Sequence, residues 1–407
     1  MKLSLSDQVI AYHERTKHHL HRFAPSLGYM DWANQPIPFR EYNDTTKIQL
    51  PFIKKDLKTN YHGIYNRELN KTQSLTPEFV GSFLELSVGL SAWKELPGSR
   101  WALRINPSSG NLHPTEAYLV LPDITETLSR GVYHYNPYLH ILEKRAQVGK
   151  ETWNKINEHF KSEGFIAALS SIYWREAWKY GERAFRYCQH DIGHAIASLS
   201  FSANLLGWKV TCLNSQSDDT IHTLLGFDKT KWHDLEQECA EILFYVHPSD
   251  KTLLPRNIPQ EIIEDFKSLP FEGSPNRLSN DYVEWEVIEN VRKLTRKPLT
   301  VQKLINLLLG NFVENEIPEV EAVKIIRQRR SALDFDGETS ITKQQFYAML
   351  DKTLPRRGCA PYDVEVVNEN VDLLIFVHRI DGLDSGLYYF NRNLNHLNEF
   401  KQKTDPQ

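Results

Sequence analysis

The chain has 407 residues, 41% of them hydrophobic and 25% charged, with a formal net charge of −4. This is the balance of a globular protein of two or three domains, and without a basic excess it argues against a nucleic-acid partner. No run approaches the roughly 18–20 apolar residues that cross a bilayer, and Met1-Lys2-Leu3-Ser4-Leu5-Ser6-Asp7 turns polar before a signal-type apolar core can form, so no membrane partner and a cytoplasmic location are expected.

Residues 75–93 carry Phe79, Val80, Phe83, Leu84, Leu86, Val88 and Leu90 near helical spacing. The start, Thr76-Pro77-Glu78, supplies an N-cap, a first-turn proline and a first-turn acid, so a helix over 75–93 is expected. Next comes Arg104-Ile105-Asn106-Pro107-Ser108-Ser109-Gly110-Asn111-Leu112-His113-Pro114. Its Pro, Ser, Ser, Gly and Asn offer backbone N–H groups, two hydroxyls and an amide at the mouth of a strand. That inventory suits a polar, planar, phosphorylated ligand, and also an ordinary turn.

Strands are expected at 116–121 and 131–135, joined through Pro122-Asp123. Residues 182–206 read as a long helix whose small residues permit close packing, with Gly207 placed to end it. The continuous apolar run 241–246 marks a central strand. Closely spaced Pro255, Pro259, Pro270 and Pro275 give 248–276 the look of a linker, and 280–310 reads as helical with a break at Pro298.

Cys188, Cys212, Cys239 and Cys359 lack any close pairing and read as reduced, buried thiols. His190 and His194 share a helical face at the spacing of a zinc-protease helix, but no third ligand is evident and no metal is expected. His18, His19 and His21 read as a solvated cluster. Neither a dinucleotide-binding nor a P-loop glycine pattern occurs.

An internal repeat links the two ends of the chain. Gly131-Val132-Tyr133-His134-Tyr135-Asn136 aligns without a gap on Gly386-Leu387-Tyr388-Tyr389-Phe390-Asn391, and Ser74-Leu75-Thr76-Pro77 echoes Ser340-Ile341-Thr342-Lys343. The second copy opens on Arg327-Gln328-Arg329-Arg330-Ser331, two adjacent guanidiniums and a hydroxyl able to hold a phosphate; a solvated helix face has the same composition.

Together, Tyr12-His13-Glu14-Arg15-Thr16-Lys17-His18, Leu27-Gly28-Tyr29-Met30-Asp31-Trp32, the Arg104–Pro114 run, Arg183-Ala184-Phe185-Arg186-Tyr187 with Asp191-Ile192-Gly193-His194, and Asp218-Asp219 before Leu224-Leu225-Gly226 resemble the FMN-dependent nitroreductase superfamily. The likeness is strongest to its SagB/ThcOx-type dehydrogenase branch and covers residues 10 to 250 best. It implies an α+β tandem nitroreductase-like fold, an antiparallel-rich sheet flanked by helices, with the second copy truncated. The units are residues 1–250, a linker with helices at 251–315, and an incomplete second domain at 316–407.

In nitroreductase homodimers each flavin takes its phosphate clamp from one protomer and its Pro-Ser-Ser-x-Asn loop from the other. The resemblance therefore implies a pseudo-dimer within one chain with a single composite FMN site. Arg104, Pro107, Ser108, Ser109 and Asn111 come from copy one, facing Arg329, Arg330 and Ser331 from copy two. The reciprocal site has decayed: Tyr65-Asn66-Arg67-Glu68 replaces the clamp, and Arg356-Arg357-Gly358-Cys359-Ala360-Pro361 replaces the loop. Azoline dehydrogenases of the branch use a Lys-Tyr pair as proton acceptor, and Lys179-Tyr180 stands at a similar position; an exposed lysine beside a packing tyrosine is the plainer reading of the pair.

The expected function is two-electron redox on a small molecule or a peptide-derived azoline, with NAD(P)H as a candidate electron donor and a homo-oligomer as a further possibility of assembly. The alternative is a degenerate flavin-binding or non-catalytic scaffold that binds a peptide or partner.

Overall fold

The computed structural model describes residues 4–53, 57, 59–66, 68, 70–248, 254–301, 320–365 and 371–404. In chain order they form α1 (Leu5–Thr16), β1 (Tyr42–Asn43), β2 (Thr46–Gln49), α2 (Pro77–Val88), β3 (Leu90–Leu96), β4 (Ser99–Arg104), β5 (Thr115–Leu121), β6 (Gly131–Asn136) and β7 (Ile141–Gln147). Then follow α3 (Lys150–Phe160), β8 (Phe165–Ser171), α4 (Tyr173–Tyr180), α5 (Ala184–Leu205), β9 (Lys209–Cys212), α6 (Asp218–Leu225), β10 (Cys239–His247), α7 (Gln260–Ser268), β11 (Ser274–Pro275) and α8 (Glu286–Leu294). The last part holds α9 (Ala322–Gln328), β12 (Ile341–Thr342), α10 (Lys343–Asp351), β13 (Leu373–Val377), β14 (Ile380–Asp381), β15 (Gly386–Phe390) and α11 (Leu394–Lys403).

Seven strands make one sheet in the order β2-β7-β6-β5-β8-β10-β9, and each neighbouring pair is antiparallel. Both faces are covered. Ala117, Leu119 and Leu121 of β5 pack with Phe83 and Leu84 of α2 and Leu199 of α5. The alternate residues Tyr118 and Val120 face Trp153 of α3, Leu224 of α6 and Phe266 of α7. That period of two, buried on both sides, explains why β5 reads as a continuous apolar run. The expected strands at 116–121, 131–135 and 241–246 form, and the last is paired on both edges. The expected long helix ends one residue before Leu206, and Gly207 follows at φ +66.

Two expectations are corrected. The helix predicted over 75–93 stops at Val88, with Thr76 as its N-cap accepting from the Phe79 N–H. Gly89 leaves it in extended backbone, and 90–104 folds as the β3–β4 hairpin about Pro97-Gly98, where Gly98 has φ +79. The Pro-Gly turn outweighs the helical spacing of Leu90. The linker read at 248–276 is core: Leu254, Ile258, Ile262, Ile263 and Phe266 are buried against the sheet, and β11 pairs with β1. Proline density marks the turns on either side of α7, whose own Ile262, Ile263 and Phe266 keep helical spacing.

The repeated segments adopt matching local structure. Thr342 caps α10 through the Gln345 N–H as Thr76 caps α2. Leu121 pairs with Gly131 across β5–β6, and Val377 pairs with Gly386 across β13–β15. The two segments differ after that: the chain turns back as β7 after β6, and runs into α11 after β15. Two contacts join the halves crosswise. Arg329 donates to the Ile105 carbonyl at 3.3 Å, and the Ala360 N–H donates to the Tyr65 carbonyl at 3.2 Å. Arg67 lies outside the described residues. All four cysteines are buried free thiols, and no helix among the described residues is long and apolar enough to cross a membrane.

Because α7 belongs to the core, Phe266→Ala is expected to cost about 3–5 kcal/mol in urea unfolding, the usual range for emptying a buried aromatic site. A residue in a true linker would change stability by less than about 0.5 kcal/mol.

Candidate functional site

The Arg104–Pro114 segment leaves β4 and turns sharply before β5. Gly110, Asn111 and His113 all have positive φ, at 59°, 61° and 52°. Asp191 of α5 fixes this turn from beneath: its carboxylate accepts the Ser109 N–H at 3.0 and 3.1 Å and the Ser109 hydroxyl at 3.0 Å. Burial raises the Asp191 carboxyl, and the bonds from Ser108 and Ser109 work against that rise. Ser108 Oγ also accepts the His113 N–H at 2.8 Å, and Asn111 Nδ2 donates to the Ala102 carbonyl at 2.9 Å.

Arg104 is buried. Its guanidinium donates to the carbonyls of Thr115 and Pro38 at 3.1 and 2.7 Å, which ties the loop base to residues 36–39, and burial lowers it to about 10. Arg104, Ser108 and Ser109 were expected to offer donors to a cofactor. In the structure these donors are directed inward, to the Asp191 carboxylate and to backbone carbonyls, although the turn itself is only half-buried. The Asn111 amide is likewise spent on the Ala102 carbonyl, while Pro107 lines one neighbouring cavity and Asn111 the other.

Lys179 and Tyr180 close α4, and a buried charge network sets where that helix lies. Arg175 pairs with Glu116 of β5 and donates to the His113 and Ile37 carbonyls at 2.7 and 3.2 Å. Glu116 also meets His134 at 3.1 Å, and His134 meets Glu143 at 2.9 Å. Burial works against both charges, yet Arg175 holds Glu116 at about 2, and the two carboxylates push His134 up to about 9.

As a result α4 ends directly over the loop. A Cβ built on Gly110 would stand 2.5 Å from Tyr180 Oη and 3.1 Å from Lys179 Nζ. Glycine is favoured there by φ, and a side chain would also have to displace the Tyr180 hydroxyl. One turn earlier, Glu176 is buried with neither carboxylate oxygen hydrogen-bonded among the described residues, and burial with nearby Asp191 holds it well above the usual range. Its importance was not read from the sequence.

The expected clamp ends α9 as anticipated. Arg327 pairs with Glu85, whereas Arg329 and Arg330 bond only to backbone carbonyls: Arg329 to Ile105, and Arg330 to Arg327, Arg329 and Ser91. Neither has a carboxylate partner among the described residues. Ser331 is exposed beside them. A cavity of about 320 Å3 lies here, lined by Pro107, Tyr65, His194, Phe201 and Arg329. The structure thus brings Pro107 and Arg329 together and leaves Ser331 outside that cavity.

A larger cleft, about 720 Å3, opens on the other side of the loop at Gly110, Asn111 and Lys179. Its walls carry Trp32, Phe39, Trp93, Trp101, Tyr138 and Trp178. The sequence held one signal for it, the Pro97-Gly98 turn that sets Trp93 and Trp101 on adjacent strands. His190 and His194 occupy α5 at i and i+4, and no group of three or more His, Cys, Asp or Glu among the described residues is placed to hold a metal ion.

Residues 66–235 match the model of the nitroreductase family. Over that stretch the chain is similar to the nitroreductase family. It is 28% identical over 131 residues to the trifolitoxin-processing protein TfxB of Rhizobium leguminosarum bv. trifolii, covering 30% of this chain and 35% of that protein. The chain thus spans about a third of the length of that relative. A second relative, "Putative nitroreductase MJ1384" of Methanocaldococcus jannaschii, is 25% identical over 190 residues, 45% of this chain and 90% of that one. A crystal structure from Anabaena variabilis with the same designation superposes with a TM-score of 0.61 at 24% identity, over 94% of this chain and 76% of that one. The fold is nitroreductase-like, mixed α+β.

Gly110→Ala is expected to lose about 1–2 kcal/mol from the left-handed backbone alone, and more from the collision with Tyr180. Chemical denaturation of Gly110→Ala, Tyr180→Phe and the double variant measures the coupling. The double variant should be more stable than the sum of the single losses predicts.

Proposed function

We propose that this chain is a fused pseudo-dimer that binds one FMN between its halves and carries out two-electron redox. The first unit is residues 1–250, followed by a connecting segment with helices at 251–315, and the second is residues 316–407. The observation that carries this reading is the Arg329 bond to Ile105, which sets two guanidiniums without carboxylate partners beside the loop that leads to Pro107. At its counterpart, Ala360 to Tyr65, Arg356 is paired with Asp351 and Lys352 lies 5.0 Å from the Tyr65 ring, so these cations are already engaged, which favours one site over two.

The donor set fits a flavin phosphate. Neither Arg329 nor Arg330 meets an acid among the described residues, and Ser331 follows with an exposed hydroxyl. The loop contributes Pro107, the serines being held by Asp191 and the Asn111 amide by the Ala102 carbonyl. Bound there, FMN supplies the hydride acceptor or donor. Arg329 and Arg330 neutralise the phosphate through charge-assisted bonds. The aromatic cleft holds the substrate and excludes water on the side of the loop that Lys179 and Tyr180 cover. Lys179 Nζ takes up the proton released as the substrate is oxidised, and Tyr180 Oη bonds to the same substrate atom.

Within this reading we place the protein in the SagB-type branch, oxidising a peptide-derived azoline or, with NAD(P)H as donor, reducing a small electron-poor molecule. The relative named as a toxin-processing protein supports the peptide arm. The inward-directed serines favour a second reading, a degenerate scaffold without turnover, and flavin content separates the two.

Purified protein is expected to absorb near 450 nm and release about one FMN per chain. A ratio near two removes the single-site argument, and a ratio near zero favours the scaffold. Replacing both Arg329 and Arg330 with Ala should weaken FMN by about tenfold or more per bond lost, leaving riboflavin, which has no phosphate, unaffected.

Lys179→Ala and Tyr180→Phe should keep their flavin and its reduction by dithionite while substrate turnover falls by about 10²–10⁴. Wild-type turnover in both variants makes the pair structural.

A further inference from the structure

The aromatic cleft is bordered by the outer edge of β4, which among the described residues pairs only with β3, in a two-stranded sheet, and is open at Arg100. The Ala102 carbonyl, which accepts from Asn111, points away from β3. By antiparallel alternation the N–H and C=O of Arg100, two residues earlier, point the same way. Ser99, Arg100, Trp101 and Ala102 all line the cleft in succession, as they must when a strand presents its edge rather than one face.

The chemistry of the walls narrows the occupant. Trp32, Tyr138 and Trp93 are 67%, 54% and 38% exposed around this concavity. Their arrangement is two-sided: Trp32 meets Trp178 at 5.5 Å, and Phe39 meets Tyr138 at 4.9 Å. Two cations line the cleft and no carboxylate does. Arg100 lies 4.3 Å over the Trp93 ring and Lys179 5.4 Å from that of Tyr180, and neither has an ion pair among the described residues. Glu95 is the cross-strand neighbour of Arg100, without an ion pair to it and outside the lining.

We propose that the cleft receives an extended acidic polypeptide segment as an added strand on β4, its apolar side chains against the tryptophans and its carboxylates toward Arg100. A strand added here alternates its side chains, one set entering the aromatic walls and the other facing outward, while its backbone supplies bonds that are independent of sequence. This proposal rests on the functional reading only in taking the cleft as the substrate side of the loop.

The test is titration of the full chain with synthetic hexapeptides, read by intrinsic tryptophan fluorescence. An aromatic peptide carrying Asp and Glu should saturate the signal and bind about tenfold or more tighter than the same peptide with Lys in their place, the gap closing as salt rises. N-methylation of alternate backbone amides should cost about tenfold or more, because it removes strand-edge donors without changing side chains. Arg100→Glu should reverse the charge preference.

Equal binding of the N-methylated and parent peptides overturns strand addition. Equal preference in Arg100→Glu and wild type overturns the charge assignment. No saturable change with any peptide removes the site. Flavin is measured on the same samples, so peptide binding in protein that holds no FMN upholds this proposal while the redox reading falls, and a one-to-one flavin content with no peptide response does the reverse.

Discussion

The ion pair between Arg175 and Glu116 ties together every part of the candidate site. Both groups are fully buried, so neither tolerates separation: an isolated charge at that depth costs several kcal/mol. Arg175 belongs to α4, Glu116 to β5, and the same guanidinium holds the carbonyl of His113 at the end of the loop. Helix, sheet and loop therefore share one anchor. The relay through His134 to Glu143 carries that anchor two strands further, and Glu143 also accepts the Tyr42 N–H at 2.9 Å. Lys179 and Tyr180 reach Gly110 because their helix has no freedom to slide.

A second buried acid, Asp191, does for the loop what Arg175 does for the helix. A loop with three positive-φ residues, Gly110, Asn111 and His113, needs internal satisfaction, and Asp191 provides part of it from α5 through the Ser109 N–H and hydroxyl. The small residues along α5 let that helix pack close enough to α2 and the sheet for the carboxylate to reach. Rigid placement by buried polar groups leaves the outer surface of the loop, at Pro107 and Asn111, to face the two cavities on either side of it.

Much of this was legible in the chain. The strands at β5, β6 and β10 announce themselves by apolar runs, and the caps Thr76 and Thr342 by their spacing to the elements that follow. The Arg104–Pro114 run and Lys179-Tyr180 were both recognisable, and the structure sets them against each other at Gly110. What could not be read is the direction of side chains within a motif: Ser108 and Ser109 look like donors for a ligand, and only the position of α5 shows that Asp191 occupies them. Residues 90–104 were misread because Leu90 continues a helical pattern for one more step, while Pro97-Gly98 decides the hairpin from outside the window. The segment at α7 was misread because its prolines are denser than its three core residues are conspicuous. The aromatic cleft escaped notice since its walls come from residues 32, 39, 93, 101, 138 and 178, far apart in sequence.

The crosswise contacts, Arg329 to Ile105 and Ala360 to Tyr65, have an evolutionary meaning of their own. In an assembly of two identical chains every substitution appears twice, so a change that ruins one interfacial site ruins its twin. Joining both halves in one chain lifts that symmetry. On the fused reading proposed above, the loop of one half and the arginines of the other would be kept, while at the second junction Tyr65 and Ala360 bond through their backbones beside Lys352, 5.0 Å from the Tyr65 ring. That junction would then be free to serve as glue, its residues drifting toward packing while the other answers to chemistry.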